Sequence, residues 1–370
     1  MTKRPTGVGF IGAGSVLWAY LQLLDRLTAR GLATEGPICA RRTESWPAIL
    51  RRRPGAQLVT DPAAVADSDV DVIVVITPPA SHSQLATLAL EAGKHVLIEK
   101  PIASSRAEAE TVLAIAEAGG RVVMAASFVQ LAPTLRSLWA SVRAGDIGRV
   151  HSARAMYGNA GSTWATWYHD AGVGPLGDLA VYNLKTLTSL LGSVTEVFAA
   201  DAVAIAPRLI GSTQLETPEP DSVHLIVRHA SGALSSVMAS QAVQAYRRPA
   251  VELYGATGTA NLLGDDWAPR GVEVWQNETG SWRLTEAIDE TWLWTDGLRE
   301  LVVALRDGRP PLQRIEQDLH LLDVLSAAER SARDNRPVTV TSEFLDLDLT
   351  PDEPAPVHIH DRTRPPDEQT

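Results

Sequence analysis

The sequence predicts an α/β domain with a doubly wound parallel sheet, followed by an α+β domain with a mostly antiparallel sheet. Three observations predict this order. Strands and helices alternate from Thr6 to about Ser127, as in parallel βαβ units. Val70 to Ile76 is almost continuously apolar, which is typical of a strand buried on both faces. Beyond Ser127, successive β-runs are separated by short Gly or Asn turns, which favours antiparallel pairing.

Turn-forming residues place the elements of the first domain. Thr77-Pro78-Pro79 ends the fourth strand because proline has no N–H for the ladder, and Gly93 lies where a helix C-cap belongs. The predicted strands are Thr6–Ile11, a run ending at Ala40, Leu58–Val59, Val70–Ile76, His95–Ile98 and Arg121–Ala126. The predicted helices are Val16–Ala29, one that starts near Ser45, Ser83–Ala92 and Ser105–Ala118.

The second domain is expected to combine helices with a meander of strands. Its predicted helices are Thr134–Ala144, Leu179–Leu191, Thr295–Asp307 and Ile315–Asp334. Its predicted strands are Val150–Tyr157, Val194–Ala206, Ser222–His229, Ala233–Ala239, Ala250–Tyr254, Gly258–Leu262 and Val272–Gln276. We therefore expect domains at residues 1–127 and 128–349, with the helix at 315–334 packing back on the first domain. The Pro-, Asp- and Glu-rich tail at 350–370 is expected to be disordered.

Charge and cysteine usage exclude several kinds of protein. The 370 residues include 33 basic and 44 acidic side chains, a formal charge of −11, so nucleic acid and anionic membranes are poor partners. The single cysteine, Cys39, excludes an intrachain disulfide and a cysteine-based zinc site. The histidines are scattered, and we expect no metal. No apolar signal core precedes the first strand and no run could span a bilayer, so a cytoplasmic protein is expected.

A glycine turn joins the first strand to the first helix. Gly12-Ala13-Gly14 has the context that the dinucleotide fingerprint requires, although Leu17 stands where the third glycine belongs. Such glycines let the backbone approach a pyrophosphate at the helix N-terminus. Gly12, Gly14 and the neighbouring Ser15 are therefore candidate cofactor-binding residues.

The end of the second strand indicates which nicotinamide cofactor is used. An acid there would bind the adenosine ribose, but the chain has Arg41 and Arg42. Two guanidinium groups suit a 2′-phosphate, which favours NADP over NAD. The pair could instead be solvated, since Arg51 to Arg53 make this region basic in any case. Glu44 is the acid that would reverse the preference.

Lys100 lies at the carboxyl end of a short strand, where ligands bind in open α/β sheets. Pro101 biases it toward an extended backbone, which keeps it outside a helix. A cation presented there can act on a substrate. A surface lysine with a buried stem is the alternative, but the turn around Lys100 favours the functional interpretation.

The segment from Gly172 to Tyr182 is a glycine-containing turn that leads into a helix. Asp178 and Tyr182 are four residues apart and so share a helix face. An acid at this place also serves as an ordinary helix cap. A nearby cluster could form a substrate wall or simple packing; its members are Trp164, Trp167, Tyr168 and His169.

On these motifs, the chain resembles the Gfo/Idh/MocA oxidoreductases from about Thr6 to Val340. The matching residues are Gly12-x-Gly14, Thr77-Pro78-Pro79 with His82, Glu99-Lys100-Pro101, and the segment Gly172 to Tyr182. The resemblance implies a Rossmann domain and a second domain with an open, mostly antiparallel sheet that often forms a homodimer or homotetramer interface. It also implies that Thr77, Pro78, His82, Glu99 and Lys100 belong to the cofactor site.

Tyr182 departs from the family's usual Asp-x-x-x-His pattern and resembles the glucose–fructose oxidoreductase and dihydrodiol dehydrogenase branch. The resemblance implies that Tyr182 is the acid/base and that Lys100 lowers the pKa of its phenol from about 10. It also implies that Asp178 orients the substrate hydroxyl or Lys100. Lys100, Asp178 and Tyr182 are then the catalytic candidates. His169 is a fallback proton carrier.

The function expected is hydride transfer between NADP, or NAD, and a secondary or anomeric hydroxyl of a sugar, glycoside or cyclic polyol. Asn159, Lys100, Asp178, Tyr182 and the aromatic cluster are the candidate substrate contacts. Two alternatives remain open. One is transient oxidation that cleaves a glycoside or epimerises a centre. The other is a nucleotide-binding regulator that has lost its chemistry, which would explain Leu17 and Tyr182.

Overall fold

The computed structural model divides the chain into two compact units, which are described separately. Unit 1 comprises Met1–Phe128 and Leu293–Leu319, and unit 2 comprises Val129–Trp292 and His320–Thr370. The described residues are 3–162, 174–216, 219–265, 267–286, 289, 291–350 and 359–363.

Unit 1 contains a six-stranded parallel sheet with the order β3-β2-β1-β4-β5-β6. Its strands are β1 (Thr6–Ile11), β2 (Ala33–Cys39), β3 (Leu58–Val59), β4 (Val72–Val75), β5 (His95–Ile98) and β6 (Val123–Ala125). All four residues of β4 are buried, which explains its continuous apolar run. The strand order reverses at β1, so the carboxyl ends of β1 and β4 flank the crevice where such folds bind ligands.

Helices complete unit 1, and one of them comes from far along the chain. The helices are α1 (Leu17–Ala29), α2 (Trp46–Arg52), α3 (Pro62–Ala66), α4 (His82–Glu91), α5 (Arg106–Ala118) and α8 (Gly297–Asp307). A Cβ at Gly297 would lie 2.3 Å from the ring of Phe128, so glycine permits close packing of α8. Residues 293–319 thus cluster with unit 1, whereas the sequence pattern assigned all of 128–349 to the second domain.

Unit 2 contains a ten-stranded sheet in which every pair is antiparallel except β12 with β7. The order is β17-β8-β11-β12-β7-β13-β14-β15-β16-β18. Its strands are β7 (Val150–Gly158), β8 (Val194–Ala202), β11 (Ser222–His229), β12 (Leu234–Ser240), β13 (Val251–Gly255), β14 (Gly258–Asp265), β15 (Ala268–Gln276), β16 (Ser281–Glu286), β17 (Val338–Thr339) and β18 (Ile359–Thr363). A separate hairpin joins β9 (Arg208–Ile210) to β10 (Thr213–Leu215).

One face of this sheet forms the core of unit 2 with helices. They are α6 (Pro133–Ala144), α7 (Val181–Leu191) and the part of α9 (Ile315–Asp334) that follows Leu319. The division between the units falls within α9, with Ile315–Leu319 in unit 1 and the rest of the helix in unit 2.

The tail also differs from expectation. Residues 350–370 were expected to be disordered, but β18 pairs antiparallel with β16 within this stretch. Within the described parts of the chain, no helix has the length and apolar character needed to cross a bilayer.

Candidate functional site

The two glycines of the turn after β1 have different surroundings. Gly12 has φ +119°, and a Cβ there would lie 2.7 Å from the Ile76 carbonyl oxygen, so only glycine fits. A Cβ at Gly14 would meet no atom within 4 Å. Among described residues, no side chain caps the start of α1 and no acid lies in its first turn. Open space beside an uncapped, thirteen-residue helix fits the phosphates of a dinucleotide.

Arg41 and Arg42 follow β2 at the same carboxyl edge of the sheet, and both are exposed. The local turn is fixed by backbone acceptors. Trp46 Nε1 donates to the Ala40 carbonyl at 3.1 Å, and Ser45 Oγ donates to the Arg42 carbonyl at 2.8 Å. Glu44 is exposed in the same turn. The structure thus keeps both guanidinium groups accessible to an anionic ligand.

His82 lies beneath the turn that follows β4. Its side chain is fully buried, with Nδ1 2.7 Å from the Pro101 carbonyl oxygen and Nε2 2.8 Å from the Thr77 carbonyl oxygen. Thr77 and Pro78 lie above it, and Pro78 is exposed. Both ring nitrogens therefore contact backbone, and His82 joins the turn after β4 to the turn after β5. The place of His82 in the cofactor site stays a prediction, and the contacts described give it a supporting role for the two turns.

Glu99 also supports the turn from below. It is 8% exposed and accepts a hydrogen bond from Tyr20 Oη at 2.9 Å. Its other carboxylate oxygen accepts from the Lys100 backbone amide at 3.2 Å. Lys100 itself is half-buried at the carboxyl end of β5. Glu99 thus binds the backbone that carries Lys100, and its place in the cofactor site stays a prediction.

In unit 2, the predicted acid and tyrosine lie at the start of one long helical segment. Asp178 belongs to a five-residue π-helix, Leu176–Ala180, and Tyr182 lies in the first turn of α7 directly after it. Both residues are half-buried. The Tyr182 ring packs edge-on against Tyr157, with 5.9 Å between centroids. A π-helix was not predicted; such segments are frequent at functional sites.

The remaining substrate candidates divide into two groups. Asn159 is half-buried, and its Oδ1 accepts a hydrogen bond from the Gly161 amide at 2.9 Å. Its side chain therefore stabilises the turn that follows β7. The predicted wall lies outside the described residues, as do Gly172 and Val173; its members are Trp164, Trp167, Tyr168 and His169.

Sequence reasoning missed Tyr20 entirely. It is fully buried on α1, among the leucines that form the apolar face of that helix. A tyrosine within such a face is a signal, because its hydroxyl needs a buried partner. Among the described residues, no group of three His, Cys, Asp or Glu side chains is arranged to hold a metal ion.

Comparison with protein families covers both units. Residues 6–127 match the oxidoreductase family with an NAD-binding Rossmann fold, and residues 135–261 match the GFO/IDH/MocA C-terminal domain. Together these matches span well over half of the chain.

Individual relatives agree with this assignment. A trans-1,2-dihydrobenzene-1,2-diol dehydrogenase from Bos taurus is 26% identical over 72% of this chain and 78% of its own length. A levoglucosan dehydrogenase from Pseudarthrobacter phenanthrenivorans is 28% identical over 48% of this chain and 51% of its own. An NAD-binding oxidoreductase from Klebsiella pneumoniae has the same fold, with a TM-score of 0.81, 21% identity, and coverage of 92% of this chain and all of its own.

The parallel sheet with its glycine turn, the mostly antiparallel second sheet and both family matches give one conclusion. The chain belongs to the Gfo/Idh/MocA family and is an NAD(P)-dependent oxidoreductase that acts on CH–OH groups.

Proposed function

We propose that this protein catalyses NADP-linked, reversible oxidation of a secondary or anomeric hydroxyl on a sugar or cyclic polyol. The observation that carries the cofactor choice is the exposed Arg41–Arg42 pair at the end of β2, where no acid occupies the usual ribose-binding place. The names of the bovine and Pseudarthrobacter relatives support a sugar or cyclic polyol as the substrate class.

A nicotinamide dinucleotide held at the Gly12–Gly14 turn and by Arg41 and Arg42 would supply the hydride acceptor for the substrate carbon. The hydroxyl on that carbon must lose a proton. Loss of the hydride and the proton together removes two electrons and two hydrogens, and the alcohol becomes a carbonyl. We assign Tyr182 as the base: as the phenolate it takes up that proton and becomes a phenol, and in the reverse direction the phenol returns it. We assign to Asp178 the orientation of the hydroxyl, and to the Lys100 ammonium the stabilisation of the negative charge that develops on the substrate oxygen.

The packing around Tyr182 supports this role. Its ring is held edge-on by Tyr157 while the residue remains half-exposed, so the phenol has a defined orientation and access to a ligand. Backbone rigidity comes from α7, in which all other residues are buried. A proton carrier on a rigid helix keeps its geometry through turnover.

Tyr182→Phe tests the assignment. General acid–base help is worth roughly 10²–10⁴-fold, so kcat should fall by that factor while NADP⁺ affinity stays unchanged. The measurement is turnover of a panel of pyranoses, anhydrosugars and cyclic diols, with NADPH formation and product structure both determined. Tyr254→Phe is the matched control on β13. An unchanged kcat in Tyr182→Phe would remove this residue from the mechanism.

Product structure also distinguishes transient oxidation. If glycoside cleavage or epimerisation occurs without net NADPH release, the reaction is the transient one and not a simple dehydrogenation.

We also propose that the exposed face of the unit 2 sheet binds a second copy of the chain. Phe198 and Ile226 face each other on neighbouring strands and are 37% and 49% exposed, and Leu234 on the next strand is 40% exposed. Exposed apolar groups at neighbouring positions are typical of a subunit interface. Sedimentation velocity on the whole chain would give a dimer or tetramer; a monomer at all concentrations would contradict this.

A further inference from the structure

We propose that Tyr20 is a positioning residue for Lys100, acting through the buried carboxylate of Glu99. This inference rests on the proposed role of Lys100, and it adds a residue that no sequence motif contains. Every contact in the argument lies within unit 1.

The first link is a hydrogen bond between a buried phenol and a buried carboxylate. Tyr20 is fully buried, and its Oη donates to Glu99 Oε1 at 2.9 Å. A carboxylate that is 8% exposed must be compensated by donors, and a charge-assisted hydrogen bond is a strong one. The Tyr20 ring is held in turn by Trp294, edge-on at 6.1 Å. The phenol therefore fixes where the Glu99 carboxylate lies.

The second link runs from that carboxylate to the backbone of Lys100. Glu99 Oε2 accepts from the Lys100 amide at 3.2 Å. On the far side of the same turn, the Pro101 carbonyl lies 2.7 Å from His82 Nδ1. The peptide unit before Lys100 and the peptide unit after Pro101 are thus each in contact with a buried side chain. A lysine has four rotatable side-chain bonds, so a fixed backbone is what defines the region its ammonium can reach.

The third link is the helix that carries Tyr20. α1 begins directly after the Gly12–Gly14 turn, and Tyr20 lies within its first turn and a half. The same helix therefore faces the proposed phosphate site with its N-terminus and supports the Lys100 turn with a side chain. Cofactor site and lysine are held in register by one rigid element.

The test uses the scarcity of lysine in this chain. The sequence contains four lysines, namely Lys3, Lys94, Lys100 and Lys185. Reductive methylation with ¹³C-formaldehyde labels accessible amines, and a Lys100→Arg variant identifies the Lys100 resonance. Lys185 is fully buried, which leaves a simple spectrum.

Tyr20→Phe keeps the ring and its contact with Trp294 and removes only the hydroxyl. We expect the Lys100 resonance to move or broaden while those of Lys3 and Lys94 stay in place. We also expect kcat to fall roughly 10- to 100-fold, since misplacement by about 1 Å can cost that much, with KM for NADP⁺ unchanged. Tyr246→Phe is the matched control, because Tyr246 Oη donates to Asp265 Oδ1 at 3.2 Å in unit 2.

Glu99→Gln separates the two links. Its amide oxygen still accepts from Tyr20, but its nitrogen cannot accept from the Lys100 amide. Glu99→Gln should therefore show the same shift or broadening of the Lys100 resonance. It replaces Tyr20→Phe as the test if that variant does not fold. Wild-type Lys100 resonances in both variants, or equal effects of Tyr20→Phe and Tyr246→Phe, would overturn the proposal. If no sugar is turned over, the proposed function fails, and the resonance measurement still decides on Tyr20.

Discussion

The buried polar groups of the two units are directed at different targets. In unit 1, Tyr20, Glu99 and His82 converge on the backbone of two strand-end turns, one of which carries Lys100. In unit 2, the Arg208–Asp221 pair and His229 bind loop backbone at the ends of sheet strands. Burial alone therefore does not identify a functional group. The role of a buried polar group depends on which segment of backbone it binds.

If this comparison is correct, changes to Tyr20 or Glu99 should alter the environment of Lys100, whereas changes to Arg208 or His229 should lower the free energy of unfolding. Three experiments test this difference and the cofactor site of unit 1, in decreasing order of expected effect.

Arg208→Met should have the largest effect on stability. Arg208 and Asp221 are 6% and 2% exposed and lie 2.5 Å apart, so the variant leaves a buried carboxylate without its cation. The expected loss is about 3 to 5 kcal/mol, toward the lower end because Ala204 and Ile205 amides still donate to Asp221. Urea unfolding measures it.

The matched control for Arg208→Met is Arg228→Met. Arg228 and Glu196 form a surface pair at 3.6 Å, with both side chains about half exposed, so at most about 1 kcal/mol should be lost. Equal losses in the two variants would contradict the importance assigned to the buried pair.

The burial of His229 predicts that the free energy of unfolding of unit 2 falls in acid. Burial lowers the pKa of His229 to about 4 from 6.5, although a bond to the Gly192 carbonyl acts in the opposite direction. Nδ1 donates to Gly192 and Nε2 accepts from Ser235 Oγ, so the neutral ring satisfies both partners. The unfolded chain therefore binds a proton at a pH where the folded chain does not.

Stability from this group is complete above pH 6.5 and is lost as the pH falls toward 4. A shift of 6.5 − 4 = 2.5 corresponds to about 3 kcal/mol. Urea unfolding between pH 4 and 8 should show the slope, and His229→Gln should flatten it. His224→Gln, on the exposed face of β11, should leave the slope as it is; no difference between the two variants would sink the prediction.

Asp221 contributes to the same acid lability. Burial raises its pKa, but hydrogen bonds from the Ala204 amide, from Arg208 and from the Ile205 amide outweigh this and hold the pKa below its usual value. Its stabilisation is present above the ordinary carboxyl range and is lost as the pH falls below it. This loss occurs at lower pH than that from His229.

Replacing Arg41 and Arg42 with alanine should have the smallest effect and the most specific one. Loss of two guanidinium contacts to a 2′-phosphate should weaken NADP⁺ binding roughly tenfold or more and leave NAD⁺ binding and stability unchanged. Calorimetric titration with each nucleotide measures this. Arg51→Ala, exposed on α2, is the control. Tighter NAD⁺ binding by the wild type would instead assign the ribose contact to Glu44.

Much of the fold could be predicted from hydrophobic periodicity and turn residues. Val72–Val75 was found because a doubly buried strand is apolar throughout, and His95–Ile98 was predicted with its observed bounds. The return of α8 to unit 1 could not be predicted, since its amphipathic pattern says which face is buried and not which unit covers it. The β18 strand escaped prediction because its partner β16, and not its composition, makes it a strand.

The sequence by itself determined the chemistry present at the strand ends: the glycine turn, the Glu99-Lys100-Pro101 motif, the arginine pair and the Asp178–Tyr182 spacing. These follow from residue type and local spacing, which a chain displays before it folds. Only the tertiary structure decided which side chains point inward. It turned His82 and Glu99 beneath their turns and brought Tyr20 to Glu99 across 79 positions of sequence. Such contacts depend on packing between distant segments, and no local pattern encodes them.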